Sequence, residues 1–245
     1  MMSKTRLLAL VKAFETEAVA AALAETPALL GVRDERGRTW LHICCATPPK
    51  SDADVAASIR TADALIAAGL DISDAAFTEG SWRATPLWCA IGRGDNLELA
   101  EHLLKLGCDP EHCLFAAQFG RKPDAIRLLV AHGAMVDARF DDGGTPFLGA
   151  IEWSHFREAE VLLELGADVN AGNGAGFTAL HLMLKKGSDP AAIRMVVDHG
   201  ARGDIAGPDG RTAIDILSRK KDPVLRALAD VMAARTNKRM LTGWQ

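Results

Sequence analysis

No run of about 18 apolar residues, the least a membrane-crossing helix needs, occurs anywhere in the 245 residues of this chain. A membrane span is therefore not expected. The opening MMSKTRLLALVKAFE starts basic, but Lys12 cuts its apolar run short and no small-residue cleavage pattern follows. It reads as a helix, not an export signal. Charge of one sign is also missing: 28 Lys and Arg against 32 Asp and Glu leave a net charge of -4, which gives no reason to expect nucleic acid as a partner. Cysteine is sparse and odd in number. Cys44, Cys45, Cys89, Cys108 and Cys113 lie mostly in apolar helical text, which suits reduced, buried thiols in a cytoplasm. Cys108, His112 and Cys113, like Cys44 and Cys45 near His42, invite a metal reading, yet no second ligand pair at zinc spacing accompanies them. No metal and no cofactor is expected. Nucleophile elbow, phosphate loop and zinc-protease helix are all absent; the glycines of FDDGGT and AGNGAG follow no strand and serve turns.

What the chain does have is a string of helix-ending glycines: Gly69, Gly107, Gly133, Gly166 and Gly200. Twelve residues after three of them comes a threonine, Thr145, Thr178 and Thr212. Gly133 to Gly166 is 33 residues and Gly166 to Gly200 is 34, so one supersecondary unit is being copied. A stacked repeat places function on an extended surface that binds macromolecules, which makes a catalytic pocket the weaker hypothesis.

The fullest copy runs from Phe140. Thr145 is well placed to cap a helix and Pro146 sits at its first position, where a missing donor costs nothing. Phe147, Ala150 and Ile151 form one apolar stripe; Ala159, Leu162 and Leu163 repeat the spacing on a second helix after a turn at 154–157. Gly166 supplies the left-handed residue that ends the second helix, and the polar stretch beyond it forms a protruding turn. Both helices are short and poor in apolar area, so stacking on neighbours must complete the core.

These segments, TPFLGAIEW…GADVNA, TALHLMLKKG…HGARGDIAGPDG and RTWLHICCA, resemble ankyrin repeats, and the resemblance covers roughly residues 5 to 235. It implies an all-α solenoid of stacked helix-turn-helix units with an inner row of first helices, an outer row of second helices and projecting turn or hairpin fingers. It also implies that the concave side of fingers and inner helices is the binding surface. The expected organisation is a cap at 3–33; repeats at about 34–75, 76–108, 109–138, 139–171 and 172–205; a cap repeat at 206–235, the whole forming one domain over 1–235; and a loose tail at 236–245. The second copy carries an insertion with Pro48 and Pro49 marking a loop, and the fourth, with only CDP after Gly107, lacks a finger and leaves a notch. His42 and His181 match the motif histidine, which the resemblance implies hydrogen-bonds between adjacent turns. Trp88, Leu148 and Asp215 depart from it and are expected to loosen those bonds.

Mapped onto this sequence, the binding positions of such repeats are Arg93, Gln118, Phe119, Glu152, Trp153, Lys185 and Lys186 at the ends of inner helices, and Trp82, Arg83, Asp141, Asp142, Phe177 and Arg211 in the fingers. Large aromatics there, beside arginine, are the residue types enriched in interface hot spots. Trp40 and Trp88 lie in apolar text and are expected in the core. The expected role is a non-catalytic adaptor, inhibitor or regulator, monomeric by itself, that holds a protein partner. A bacterial immunity or antitoxin-type inhibitor and a secreted effector are versions of it. An enzyme with a site in the notch near Glu111, His112 and Cys113, and a self-associating scaffold, are the other classes.

Overall fold

The structure, a computed structural model, describes residues 2–75, 77–79, 82–110 and 113–242. The chain divides into two compact units, one of residues 1–120 with 131–134 and the other of 121–130 with 135–245. Among the described residues no helix is long and apolar enough to cross a membrane.

The first unit contains α1 (Lys4–Lys12), α2 (Thr16–Glu25), α3 (Trp40–Cys45), α4 (Asp52–Ala67), a hairpin of β1 (Phe77–Glu79) and β2 (Trp82–Ala84), α5 (Pro86–Cys89), α6 (Leu97–Lys105) and α7 (Cys113–Phe119). Helices α1, α3, α5 and α7 pack in one row and α2, α4 and α6 in a second, each first helix against its following partner. The second unit repeats the plan with α9 (Pro146–Glu152), α11 (Ala179–Lys186) and α13 (Ala213–Leu217) in one row and α10 (Phe156–Glu164), α12 (Pro190–Asp198) and α14 (Pro223–Thr242) in the other. Helix α8 (Pro123–Ala131) precedes them.

Local chemistry explains where these helices begin. Thr39, Thr85, Thr145 and Thr212 each accept a backbone N–H from the third helical residue, which satisfies one of the orphan donors of a helix start. His42 completes the cap of α3. Its Nδ1 accepts from the Thr39 N–H at 3.3 Å and pairs with Thr39 Oγ1 at 2.8 Å, while Nε2 reaches the Ala84 carbonyl at 3.1 Å. Since a carbonyl only accepts, Nε2 carries the proton and the ring is neutral. His181 does the same with Thr178 and the Arg211 carbonyl, at 2.8 and 3.2 Å. One turn is thereby tied to the next, as the motif resemblance implied. The departures from it behave unequally: among the described residues Trp88 Nε1, which is buried, finds no partner, whereas Asp215 rebuilds the cap by accepting from Thr212 N and Oγ1 at 2.9 and 2.8 Å. Asp215 thus keeps the local cap, because a carboxylate accepts there as an imidazole does, but it has no N–H to donate to a carbonyl of a neighbouring turn.

All five helix-ending glycines have φ between +91 and +106°, the region closed to most side chains. A second left-handed position joins the two helices of a copy. It holds Gly187 at φ 70° after α11, but Phe14, Asp95, Arg121 and Ser154, at φ 55, 48, 58 and 58°, take it elsewhere. In those four turns the left-handed position itself is not a glycine, although Gly94 and Gly120 directly precede Asp95 and Arg121.

One segment goes beyond the sequence reading and another departs from it. The insertion after Pro48 and Pro49 is helical from Asp52, so α4 reaches 16 residues. Ser51 caps it by accepting from Asp54 N, Asp52 and Asp54 suit the positive end of the helix dipole, and buried Ser58 accepts from Asn96 Nδ2 at 2.8 Å. The expected tail at 236–245 is likewise helix up to Thr242. Leu228, Ala229, Met232 and Thr236 are buried, Arg235 donates to the Val197 carbonyl, and Arg239 lies 3.7 Å from Asp204. That anchorage carries the helix past the point where the repeat pattern ends.

Candidate protein-docking surface

In the second unit the packing of α9 against α11 brings five of the expected site residues together. Trp153 caps α9 and is 57% exposed. Lys186, from the end of α11, donates to the Glu152 carbonyl and to Ser154 Oγ. Lys185 places its ammonium 5.4 Å from the Phe177 ring centre, a cation–π distance, and Phe177 meets His181 edge-on at 6.3 Å. The result is an exposed indole and two lysines at the C-terminal ends of adjacent inner helices, with the Lys185 ammonium reaching back to the half-buried phenyl of the finger before α11. Among the finger residues, Asp141 is exposed. Asp142 uses its carboxylate on its own turn, accepting from Gly144 N at 2.8 Å, and Arg211 pairs with Asp209 at 2.6 Å. Both side chains hold the finger in shape.

In the first unit Phe119 is 51% exposed and stacks on Phe115 at 5.8 Å. Arg93 lies 6.0 Å over the Trp88 ring; Trp88 is half-buried and Trp40 buried, with its Nε1 donating to the Leu29 carbonyl at 2.7 Å. Gln118 requires a correction, because its side chain is fully buried and faces the core instead of a partner. One residue's rotation on a helix separates it from exposed Phe119. The side chains of Trp82 and Arg83, and Glu111 and His112 of the notch, lie outside the described residues.

The same unit holds a cavity of about 490 Å³ that no sequence signal was used to find. Its floor is Leu8, Val32, Trp40 and Ile43, and its rim carries Lys4, Lys12, Arg33, Arg38 and Arg93 against Asp34. The available signal was the spacing of Lys4, Leu8 and Lys12, four residues apart on one face of α1. Burial raises the Asp34 carboxyl, but hydrogen bonds from Arg38 and Arg36 outweigh it and hold the group below the usual carboxylate range.

The cysteines contribute no nucleophile. All five are free and buried. Burial pushes Cys44, Cys89 and Cys108 up to about 12 and raises Cys45 and Cys113 well above the ordinary thiol range, so at neutral pH they are protonated thiols.

A family model described as "Ankyrin repeats (3 copies)" matches residues 87–173. The matched stretch is built of ankyrin repeats. Over 119 residues, 49% of its length, it is 34% identical to Ankyrin repeat and SOCS box protein 11 of Danio rerio, of which it spans 39%. Its repeats superpose on the human ASB11 ankyrin repeat domain with a TM-score of 0.70 over 93% of this chain and 96% of that one, at 21% identity. They also superpose on the ankyrin repeat domain of Bcl-3, a member of the IkappaB family, with a TM-score of 0.71 over 91% and 97% of the two chains, again at 21% identity. Identity this low speaks for the shared fold alone.

Proposed function

We propose that this ankyrin-repeat chain is a non-catalytic protein-interaction module that holds a protein partner on the finger and inner-helix surface of its repeats. Ankyrin repeats are a protein–protein interaction fold, and the similar proteins carry the same repeats. The observation that carries the reading here is the exposure of Trp153 and Phe119, 57% and 51%, at the ends of inner helices. Each unit thus offers an aromatic anchor of its own, Trp153 beside Lys185, Lys186 and Phe177 in the second and Phe119 in the first. Large aromatics half in water are costly to leave uncovered and are the side chains that dominate binding energy when a partner covers them. Five buried thiols free of disulfides support a reducing, cytoplasmic setting.

The test is quantitative capture of binding proteins by the full chain and by a Phe119→Ala/Trp153→Ala variant. Truncating two hot-spot aromatics removes about 2 kcal/mol or more, roughly a thirtyfold loss of affinity, with an unchanged helical circular dichroism spectrum. Equal capture by the folded variant rejects these anchors.

A further inference from the structure

The cavity in the first unit has a chemistry that the aromatic anchors do not share. Five cationic residues and one carboxylate line it. Arg38 is paired with Asp34 at 2.8 Å and Arg33 with Asp74 at 2.7 Å. Among the described residues Lys4 and Lys12 have no carboxylate partner: Lys4 donates to the Arg33 carbonyl at 3.3 Å, and both lysines are exposed. They stand on one face of α1, two turns apart, with Leu8 between them, above a floor that includes the buried ring of Trp40.

We propose that this cavity is a docking site for an acidic segment of the protein partner, an extended stretch with carboxylates on either side of one apolar side chain. The apolar residue seats on Leu8, Val32, Trp40 and Ile43, and the carboxylates reach Lys4 and Lys12. Spacing favours a peptide over a single small anion. Eight residues of helix separate the lysine Cα atoms by about 12 Å, the span of roughly four extended residues and far beyond the reach of one phosphate. Charge disfavours a polynucleotide, because the chain as a whole is net negative at -4 and repels a long polyanion outside this local patch. The inference rests on the protein-docking reading and names the chemistry of what docks in one unit.

The experiment is fluorescence anisotropy with the full chain and a fluorescein-labelled nonapeptide of alternating Asp and Glu around a central Leu. The same peptide with Asn and Gln in place of the acids is the uncharged control. Saturable binding of the acidic peptide, about tenfold weaker binding of the amide control, and a loss of about tenfold in Lys4→Gln/Lys12→Gln are expected, each lysine pair contributing up to the limit for an exposed ion pair. Lys4→Arg/Lys12→Arg should restore affinity, which separates charge from folding. Unchanged affinity in the Gln variant overturns the site, and so does equal competition by an oligothymidylate of matched charge, which would mark a generic anion patch. The two readings fail separately. Loss of capture on Phe119→Ala/Trp153→Ala without peptide binding at the cavity overturns only the acidic pocket. Peptide binding that depends on Lys4 and Lys12, with capture indifferent to Phe119 and Trp153, overturns only the aromatic anchors.

Discussion

Replacing His42 with alanine tests the bond network that joins one ankyrin turn to the next. The substitution removes the acceptor of the Thr39 N–H and the donor to the Ala84 carbonyl, at 3.3 and 3.1 Å, and both residues are buried. Each buried polar group left unsatisfied costs about 1–3 kcal/mol. Two of them, with relaxation allowed, give an expected loss of about 3 kcal/mol. In urea, with a slope of about 1–3 kcal/mol per molar, the unfolding midpoint read by tryptophan fluorescence falls by roughly 1–3 M. His42→Gln, whose amide keeps a donor for the Ala84 carbonyl, should recover part of that. The network also predicts a pH dependence. Burial above all, outweighing the attraction of Asp74 and the hydrogen bond to Ala84, lowers the His42 pKa below its ordinary 6.5. The unfolded chain therefore takes up the proton more readily than the folded one. The stability due to His42 is complete above pH 6.5 and is lost as the pH falls from there through the lower folded-state value. The gap between wild type and His42→Ala should accordingly narrow between about pH 7.5 and pH 5. A loss below about 1 kcal/mol at the higher pH, or a gap that does not change with pH, would refute the reasoning.

The remaining predictions are more local. Arg121→Gly relieves a left-handed residue at φ 58°; with strain of about 1–2 kcal/mol partly offset by glycine's greater unfolded entropy, the urea midpoint should rise by the equivalent of about 0.5–1 kcal/mol. Gly94→Ala puts a methyl carbon 2.0 Å from the Cys45 carbonyl oxygen, a backbone clash that should cost about 3 kcal/mol or more and lower the thermal midpoint of the first unit. Thiol titration at neutral pH should find Cys44, Cys45, Cys89 and Cys113 unreactive in the folded chain and all five reactive in denaturant, since each is buried and protonated. Rapid reaction of two or more thiols without denaturant would contradict the packing of α3, α5 and α7.

How much of the binding surface was legible follows the same physics. That Trp153, Lys185 and Lys186 stand at the surface, with Phe177 within reach of Lys185, was legible because a repeat maps position onto surface; that a partner binds there is the proposal. Gln118 was misplaced because a one-residue rotation on α7 turns a surface position into a core one. The Lys4 and Lys12 cavity was missed because its wall is assembled from α1, the stretch after the first helix pair, α3 and Arg93, residues far apart in the chain.

The amino-acid sequence by itself determined the helix starts at Thr39, Thr85, Thr145 and Thr212, the left-handed ends at the five glycines, and through their spacing the ankyrin repeat. These are events within a turn or two of chain, where capping and backbone sterics decide the outcome. Only the tertiary structure decided that Phe14, Asp95, Arg121 and Ser154 adopt a glycine's conformation, that the insertion lengthens α4, that α14 runs on to Thr242, and which side chains line the cavity. For α14 and for the cavity, contacts between segments far apart in the chain decide the outcome, because a copy that cannot bury its own core takes its final shape from the helices stacked against it.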